Sequence, residues 1–189
     1  MARKTSLRRL PKEISQATAS SSTASWSRKR PPASTGGAQA NLVTRINGAF
    51  GRRPGGRFPG GWWFATEGLV NFGPRQKLRP DVSGWRREKV PARPAGAIIR
   101  DIPDWICEIL SPSNTSNDTV KKWRVYHQRQ VAHYWIVDPL AETLEVYRWH
   151  TDGYLKVLAA RRGERVRAEP FDAIEIAVGV LFGEDDDDE

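Results

Sequence analysis

Beyond Gly61 the apolar residues arrive in short runs closed by Gly, Pro, Asn or Asp, and that run length limits the fold more than any other feature. Residues 62–72, 81–85, 105–110, 134–137, 144–149 and 154–159 read as β-type segments, with Asp138-Pro139 and Asp152-Gly153 supplying turns. A last apolar segment spans 173–182. Between the third and fourth runs Asp118 is placed to cap a helix reaching about Gln130, because its carboxylate can accept from first-turn N–H groups and oppose the helix dipole. Val120, Trp123 and Tyr126 would form the inward side of that helix. Strands before and after one central helix predict a mixed β-sheet with flanking helices, an α/β or α+β domain over residues 38–183. No internal repeat is visible.

The charge is distributed unevenly. The chain carries a formal +8, yet residues 1–60 hold 12 Lys/Arg and a single acid, leaving 18 basic against 21 acidic residues for the rest. The high pI therefore belongs to the N-terminal third and says little about the domain that follows. Residues 1–37 are poor in aliphatics and rich in Ser, Thr, Pro, Arg and Lys, a composition that cannot bury enough apolar surface to offset ordering, so a disordered basic segment is expected. Residues 38–50 read as a short helix with Leu42, Val43, Ile46 and Phe50 on one face, ended by the Gly/Arg/Pro stretch 51–61. The acidic close, 184–189, reads as a solvated tail. No apolar run approaches the roughly 18 residues that cross a bilayer, and no secretory signal is evident, so the expectation is a cytoplasmic protein without a membrane span. The single Cys107, set in an apolar run, reads as a buried, inert thiol.

Two carboxylates stand out by context. Asp81 follows Pro80 at a strand start, and Glu108 lies inside Trp105-Ile106-Cys107-Glu108-Ile109-Leu110. An acid in the middle of an apolar strand is costly unless paired, protonated or bound to a cation. A divalent ion suits such a place, since Mg²⁺ takes one or two carboxylates and keeps waters for a phosphate substrate. It would acidify an attacking water and neutralise charge on phosphate oxygens, while a nearby Lys would orient that water or stabilise developing charge. From spacing alone the bland alternatives stay open: Asp81 as a turn acid, Glu108 on a solvated face or paired with an Arg.

A longer pattern carries more. Pro103-Asp104-Trp105-Ile106-Cys107-Glu108-Ile109-Leu110-Ser111-Pro112-Ser113, then Asp118, Lys122, Tyr126 and His133-Tyr134-Trp135-Ile136-Val137-Asp138-Pro139, resembles the Uma-two family of restriction endonucleases, of the PD-(D/E)XK kind. Gly61-Trp62-Trp63, Pro80-Asp81-Val82-Ser83-Gly84-Trp85-Arg86-Arg87-Glu88 and Arg167-Ala168-Glu169-Pro170-Phe171-Asp172-Ala173 fit the same pattern in the same order. The resemblance implies a restriction-endonuclease-like fold and a metal-dependent endonuclease acting on DNA. Asp81 and Glu108 would bind Mg²⁺ or Mn²⁺, and Lys122 would assist. The standard motif places a Lys two residues after the Glu, where this chain has Leu110; the family supplies the amine from the following helix, and Lys122 matches that position better than Lys121. An additional metal-binding acid often stands in the strand that here reads 63–70; Glu67 is the candidate, with Leu69 where the acid would otherwise be. A homodimer is in keeping with cutting both strands of a duplex. The alternative is an inactive or truncated relative that at most binds nucleic acid.

Asp104 reads as structural, because four strand residues separate it from Glu108 by about 13 Å. His127, His133 and His150 lack zinc-site spacing, the tryptophans read as core, and Arg86, Arg87 and Lys89 form a modest cluster that either touches phosphates or is simply solvated. One oddity concerns Ser22-Thr23-Ala24-Ser25-Trp26-Ser27. Back-translated with GC-rich codons and read from the third base, it gives Asp-Gly-Glu-Leu-Val, the usual opening of the family, so residues 1–37 are expected to be out of frame.

Overall fold

The structure is a computed structural model that describes residues 34–111 and 116–185. The expectations for residues 1–33, the shifted frame among them, and for 186–189 lie outside the described residues. Helix α1, Thr35–Phe50, starts three residues before the sequence suggests, because the Ser34 hydroxyl accepts from the Gly37 N–H at 3.0 Å and caps the first turn. Ala38, Leu42, Ile46, Ala49 and Phe50 are its buried face, at helical spacing. Burying Leu42 or Ile46 completely contributes roughly 1.5–3 kcal/mol each, so truncating either to Ala should weaken the packing of the helix on the sheet.

The sheet has six strands in the order β1-β4-β5-β6-β7-β8. These are β1 (Trp62–Thr66), β4 (Val82–Arg86), β5 (Trp105–Ile109), β6 (His133–Asp138), β7 (Thr143–His150) and β8 (Gly153–Arg161). All neighbours pair antiparallel except β5 and β6, which run parallel and are joined through helix α2, Ser116–Gln128. A parallel pair needs a crossover connection, and α2 supplies it. Asp118 thus lies inside the first turn of α2 and not at its cap, the helix having begun two residues earlier.

Strand alternation divides the core in two. Trp105, Cys107 and Ile109 of β5 join the cluster beneath α1, with Trp62, Phe64, Trp135 and Phe171. Ile106 faces the other way, into a cluster with Val70, Phe72, Trp85, Tyr126, Tyr134, Tyr147 and Tyr154. Glu108 alternates with Cys107 and shares the face of Ile106, the face that α2 covers. Cys107 is fully buried, and burial pushes its thiol well up, in keeping with an inert role.

The run 62–72 is not one strand. Glu67 takes a left-handed φ of 51°, and the chain turns there before β2 (Val70–Gly73), which forms a hairpin with β3 (Gln76–Leu78). The Arg79 guanidinium donates to the Glu67 carbonyl at 2.9 Å and holds the turn. The terminal apolar segment likewise divides, into β10 (Ile176–Ala177), which pairs with β9 (Arg165–Val166), and a 3-10 helix, Val178–Phe182. Glu184 departs from the solvated-tail expectation, for Arg162 bridges it to Glu142. Among the described residues no helix is long and apolar enough to cross a membrane.

Candidate active site

The registers of three strands decide which acids meet. Val82 faces Cys107 across β4 and β5, so one step further Asp81 faces Glu108; Thr66 faces Val82 across β1 and β4, so Glu67 faces Asp81. The Glu67 N–H donates to the Asp81 carbonyl at 3.1 Å, which continues the ladder past the end of β1. Residues far apart in the chain thus come to lie in one row at one end of three adjacent strands.

Glu108 is the innermost, 4% exposed. Its Oε2 accepts from Lys122 Nζ at 2.9 Å and its Oε1 from the Tyr126 hydroxyl at 2.6 Å. Lys122 and Tyr126 stand four residues apart on α2, so one helix face presents both donors to the carboxylate. Asp81 is half-buried, and its Oδ2 accepts from the Ile109 N–H at 2.6 Å. Its Oδ1 takes no hydrogen bond among the described residues.

Burial raises Glu108 from its ordinary 4.5 to about 7; Lys122 and the Tyr126 hydrogen bond pull it down, and the Asp81 charge pushes it up again. Asp81 is also raised, chiefly by burial, against the Ile109 N–H and Lys122, with Glu67 adding to the rise. The Tyr126 phenol is pushed well up by burial and by the Glu108 charge. Two acids and one amine leave a net negative pocket, and the low-dielectric surroundings strengthen its pull on a cation.

The structure therefore brings Asp81, Glu108 and Lys122 together. The Glu67 side chain stays at the exposed rim, where its charge reaches Asp81 as a field. Among the described residues no three His, Cys, Asp or Glu side chains form a ready metal-binding group. The donor set nonetheless fits a hard cation: two carboxylates, one with an unengaged oxygen, and a desolvated anion that its single amine only partly compensates. Tyr126 is the partner that sequence reasoning missed. Its signal was present in the spacing from Lys122, which puts any two residues on the same helix face. The next row on this face holds two buried hydroxyls, Ser83 Oγ and Tyr134 Oη, one on each side of Ile106, that have no hydrogen-bond partner among the described residues.

Asp104, in contrast, is committed to the fold: its Oδ2 accepts from the Arg86 N–H at 2.8 Å and its Oδ1 pairs with Lys89. His133 is held neutral, lowered to about 4 by burial and by the nearby Arg86 and Arg148 charges. His127 Nε2 meets the His150 carbonyl at 2.8 Å. Trp62, Trp85, Trp105 and Trp135 are buried in the core.

A protein family designated Uma2, described as "putative restriction endonuclease", matches residues 30–179. Among solved structures, a crystal structure of "a putative nuclease belonging to DUF820" from Anabaena variabilis ATCC 29413 superposes with a TM-score of 0.61 at 22% identity, covering 82% of this chain and 83% of that one. At that identity the likeness establishes the fold. No curated protein matches the chain.

Proposed function

The chain belongs to the Uma2 restriction-endonuclease family, and from that premise we propose that it is a metal-dependent endonuclease hydrolysing DNA phosphodiester bonds at the acid row beside α2. The observation that carries this reading is the buried Glu108, opposed by Asp81 and hydrogen-bonded to both Lys122 and Tyr126. A carboxylate that burial raises to about 7, set beside a second acid and an amine, is the kind of perturbed cluster that functional sites concentrate, and it supports this reading.

Asp81 and Glu108 would hold Mg²⁺ or Mn²⁺, with Glu67 available at the rim through water. When bound, the ion supplies an acidified water and neutralises charge on the phosphate oxygens. The protein's own groups do the remainder. Tyr126 fixes the Glu108 carboxylate in one orientation and satisfies one oxygen, leaving the other facing Lys122. The Lys122 ammonium, 15% exposed, is close enough to the carboxylates to orient a water or to stabilise the oxyanion that develops at phosphorus. The aromatic floor of Tyr126, Tyr134 and Phe72 keeps bulk water from the inner side.

The test is incubation of purified protein with plasmid DNA and Mg²⁺ or Mn²⁺. Nicking or linearisation is expected, lost in chelator and reduced at least 10²-fold in Asp81→Asn and Glu108→Gln, a magnitude of the order found when one catalytic group is removed. Retention of DNA without any cleavage at either metal would instead identify an inactive relative that binds nucleic acid.

A further inference from the structure

At the opposite end of β1 and β4 from the acids, six arginines gather on two loops and the last residue of β4. Among the described residues none of Arg52, Arg53, Arg57, Arg86, Arg87 and Arg93 forms an ion pair with a carboxylate, whereas Arg148, Arg162 and Arg165 each do. Arg87 locks the two loops together: its Nε donates to the Trp62 carbonyl at 3.0 Å and its NH2 to the Gly51 carbonyl at 2.7 Å. The Arg87 guanidinium lies 3.6 Å from the Trp63 ring centre, and that of Arg93 lies 6.0 Å from the same ring. Burial and the neighbouring Arg53 and Arg93 charges all push the Arg87 pKa down. Gly60 is required for this arrangement: at φ +64° a Cβ would stand 2.6 Å from the Arg53 carbonyl, so only glycine lets the loop fold back and present Arg53.

Cations held close together, without carboxylates to neutralise them, cost repulsion that an arriving anion relieves. Arg53 and Arg93 are exposed, and a guanidinium offers the planar fork that suits phosphate oxygens. Trp63 packs on the aromatic cluster beneath α2, so the arginines over it lie on the same face of the sheet as Glu108. From Arg86 to Asp81 is five strand steps of about 3.3 Å, roughly 16 Å, and duplex DNA advances about 3.4 Å per base pair. We propose that Arg53, Arg87 and Arg93 around Trp63 form a backbone anchor for duplex DNA, gripping phosphates about five base pairs from the bond presented to the acid row. The anchor deepens the endonuclease reading and rests on it for its register, but its binding is measurable without cleavage. Phosphate contacts of this kind set position and affinity and carry no base preference.

The experiment is fluorescence anisotropy of the full chain with a labelled duplex in EDTA, across a salt series. For Arg53→Ser/Arg93→Ser the slope of log K against log salt should fall by about two, and affinity near 0.15 M salt should drop by more than about tenfold. Arg53→Lys/Arg93→Lys should keep most of the slope. The charge-matched control Arg161→Ser/Arg167→Ser, away from the β1–β4 edge, should change the slope by less than half as much. Equal loss in the control, or an unchanged slope in the first variant, overturns the anchor. So does a parallel arm in which the variant loses binding to phosphatidylserine vesicles yet binds duplex normally. If the double variant fails to melt cooperatively, Arg93→Ser alone reads the same slope, with an expected loss of about one. Absence of metal-dependent cleavage by the wild type would refute the nuclease reading while leaving this binding result intact.

Discussion

Replacing Glu108 with Gln should flatten the dependence of stability on pH. In the folded chain Glu108 is raised to about 7 against an ordinary 4.5, so the folded state holds its proton more tightly than the unfolded one. The stabilising contribution of that proton is fully present below the unfolded value and disappears as pH rises through the folded one. Between pH 5 and pH 8 the linkage comes to roughly 2–3 kcal/mol for this single group. Gln keeps the shape and can still accept from Tyr126, but it has no proton to lose. Urea unfolding of both proteins at pH 5 and pH 8, without divalent metal, isolates the effect, because other titrating groups largely cancel in the difference between the two pH differences. The wild type should lose 2–3 kcal/mol more than Glu108→Gln across that interval, about 1–2 M in urea midpoint at the usual slope. Adding 10 mM Mg²⁺ at pH 8 should restore stability to the wild type and scarcely to the variant, since a ligand stabilises only through the state it binds. If the two proteins lose stability in parallel, the buried carboxylate titrates normally and the account of a cation-seeking site collapses.

Tyr126→Phe should cost about 1–3 kcal/mol at pH 8 by leaving Glu108 Oε1 without its donor, and less at pH 5, where Glu108 is protonated; the same urea series reads both. Gly60→Ala should destabilise by about 1–2 kcal/mol through its left-handed φ and the clash with the Arg53 carbonyl. It should also lower the salt slope of duplex binding; a variant that melts early yet binds with the wild-type slope would separate the loop from the anchor.

What the sequence made legible follows from which physical signals are local. The strands 105–110, 134–137 and 144–149 were visible because apolar runs of strand length, closed by Ser-Pro, Asp-Pro or Asp-Gly, report their own conformation, and β5, β6 and β7 stand within a residue or two of them. The break at Glu67 was not visible, because nothing in Glu itself asks for a positive φ, and the Arg79 guanidinium that donates to its carbonyl comes from twelve residues away. The two-stranded pairing of β9 with β10 was equally hidden, since a pair of two-residue strands has no periodicity to detect. For the site, Glu108 announced itself as an acid among hydrophobics. That Asp81 faces it depends on the β4–β5 register, a non-local quantity that no spacing rule supplies, and only the family resemblance pairs the two acids from sequence. Lys122 came the same way, while Tyr126 was within reach of a helical-face argument. The arginine anchor was the least legible: Arg53 belongs to one loop and Arg87 and Arg93 to another, and their convergence is written in the φ of Gly60 and in the carbonyls that Arg87 ties together.

The departure at Leu110 gives the sharpest test of what the amine does. Position 110 follows β5 and shares the alternation face of Glu108, about 6.6 Å further along, while Lys122 reaches the same carboxylate from the helix that crosses over it. The fold offers both placements: position 110 by strand alternation, and Lys122 because the crossover helix that the parallel step from β5 to β6 requires lies on the face that carries the acid. If the amine is needed only as a positive charge beside the two carboxylates, Lys122→Met should abolish metal-dependent cleavage and Lys122→Met/Leu110→Lys should recover a measurable part of it, about a tenth or more. Leu110 is only partly buried, and its N–H, bonded to the Val137 carbonyl at 2.8 Å, is untouched by the change, so the double variant should fold. A double variant that melts cooperatively and binds duplex with the wild-type salt slope, yet stays inactive, would mean that the amine must act from the α2 side of the row, and that charge near Glu108 is not enough.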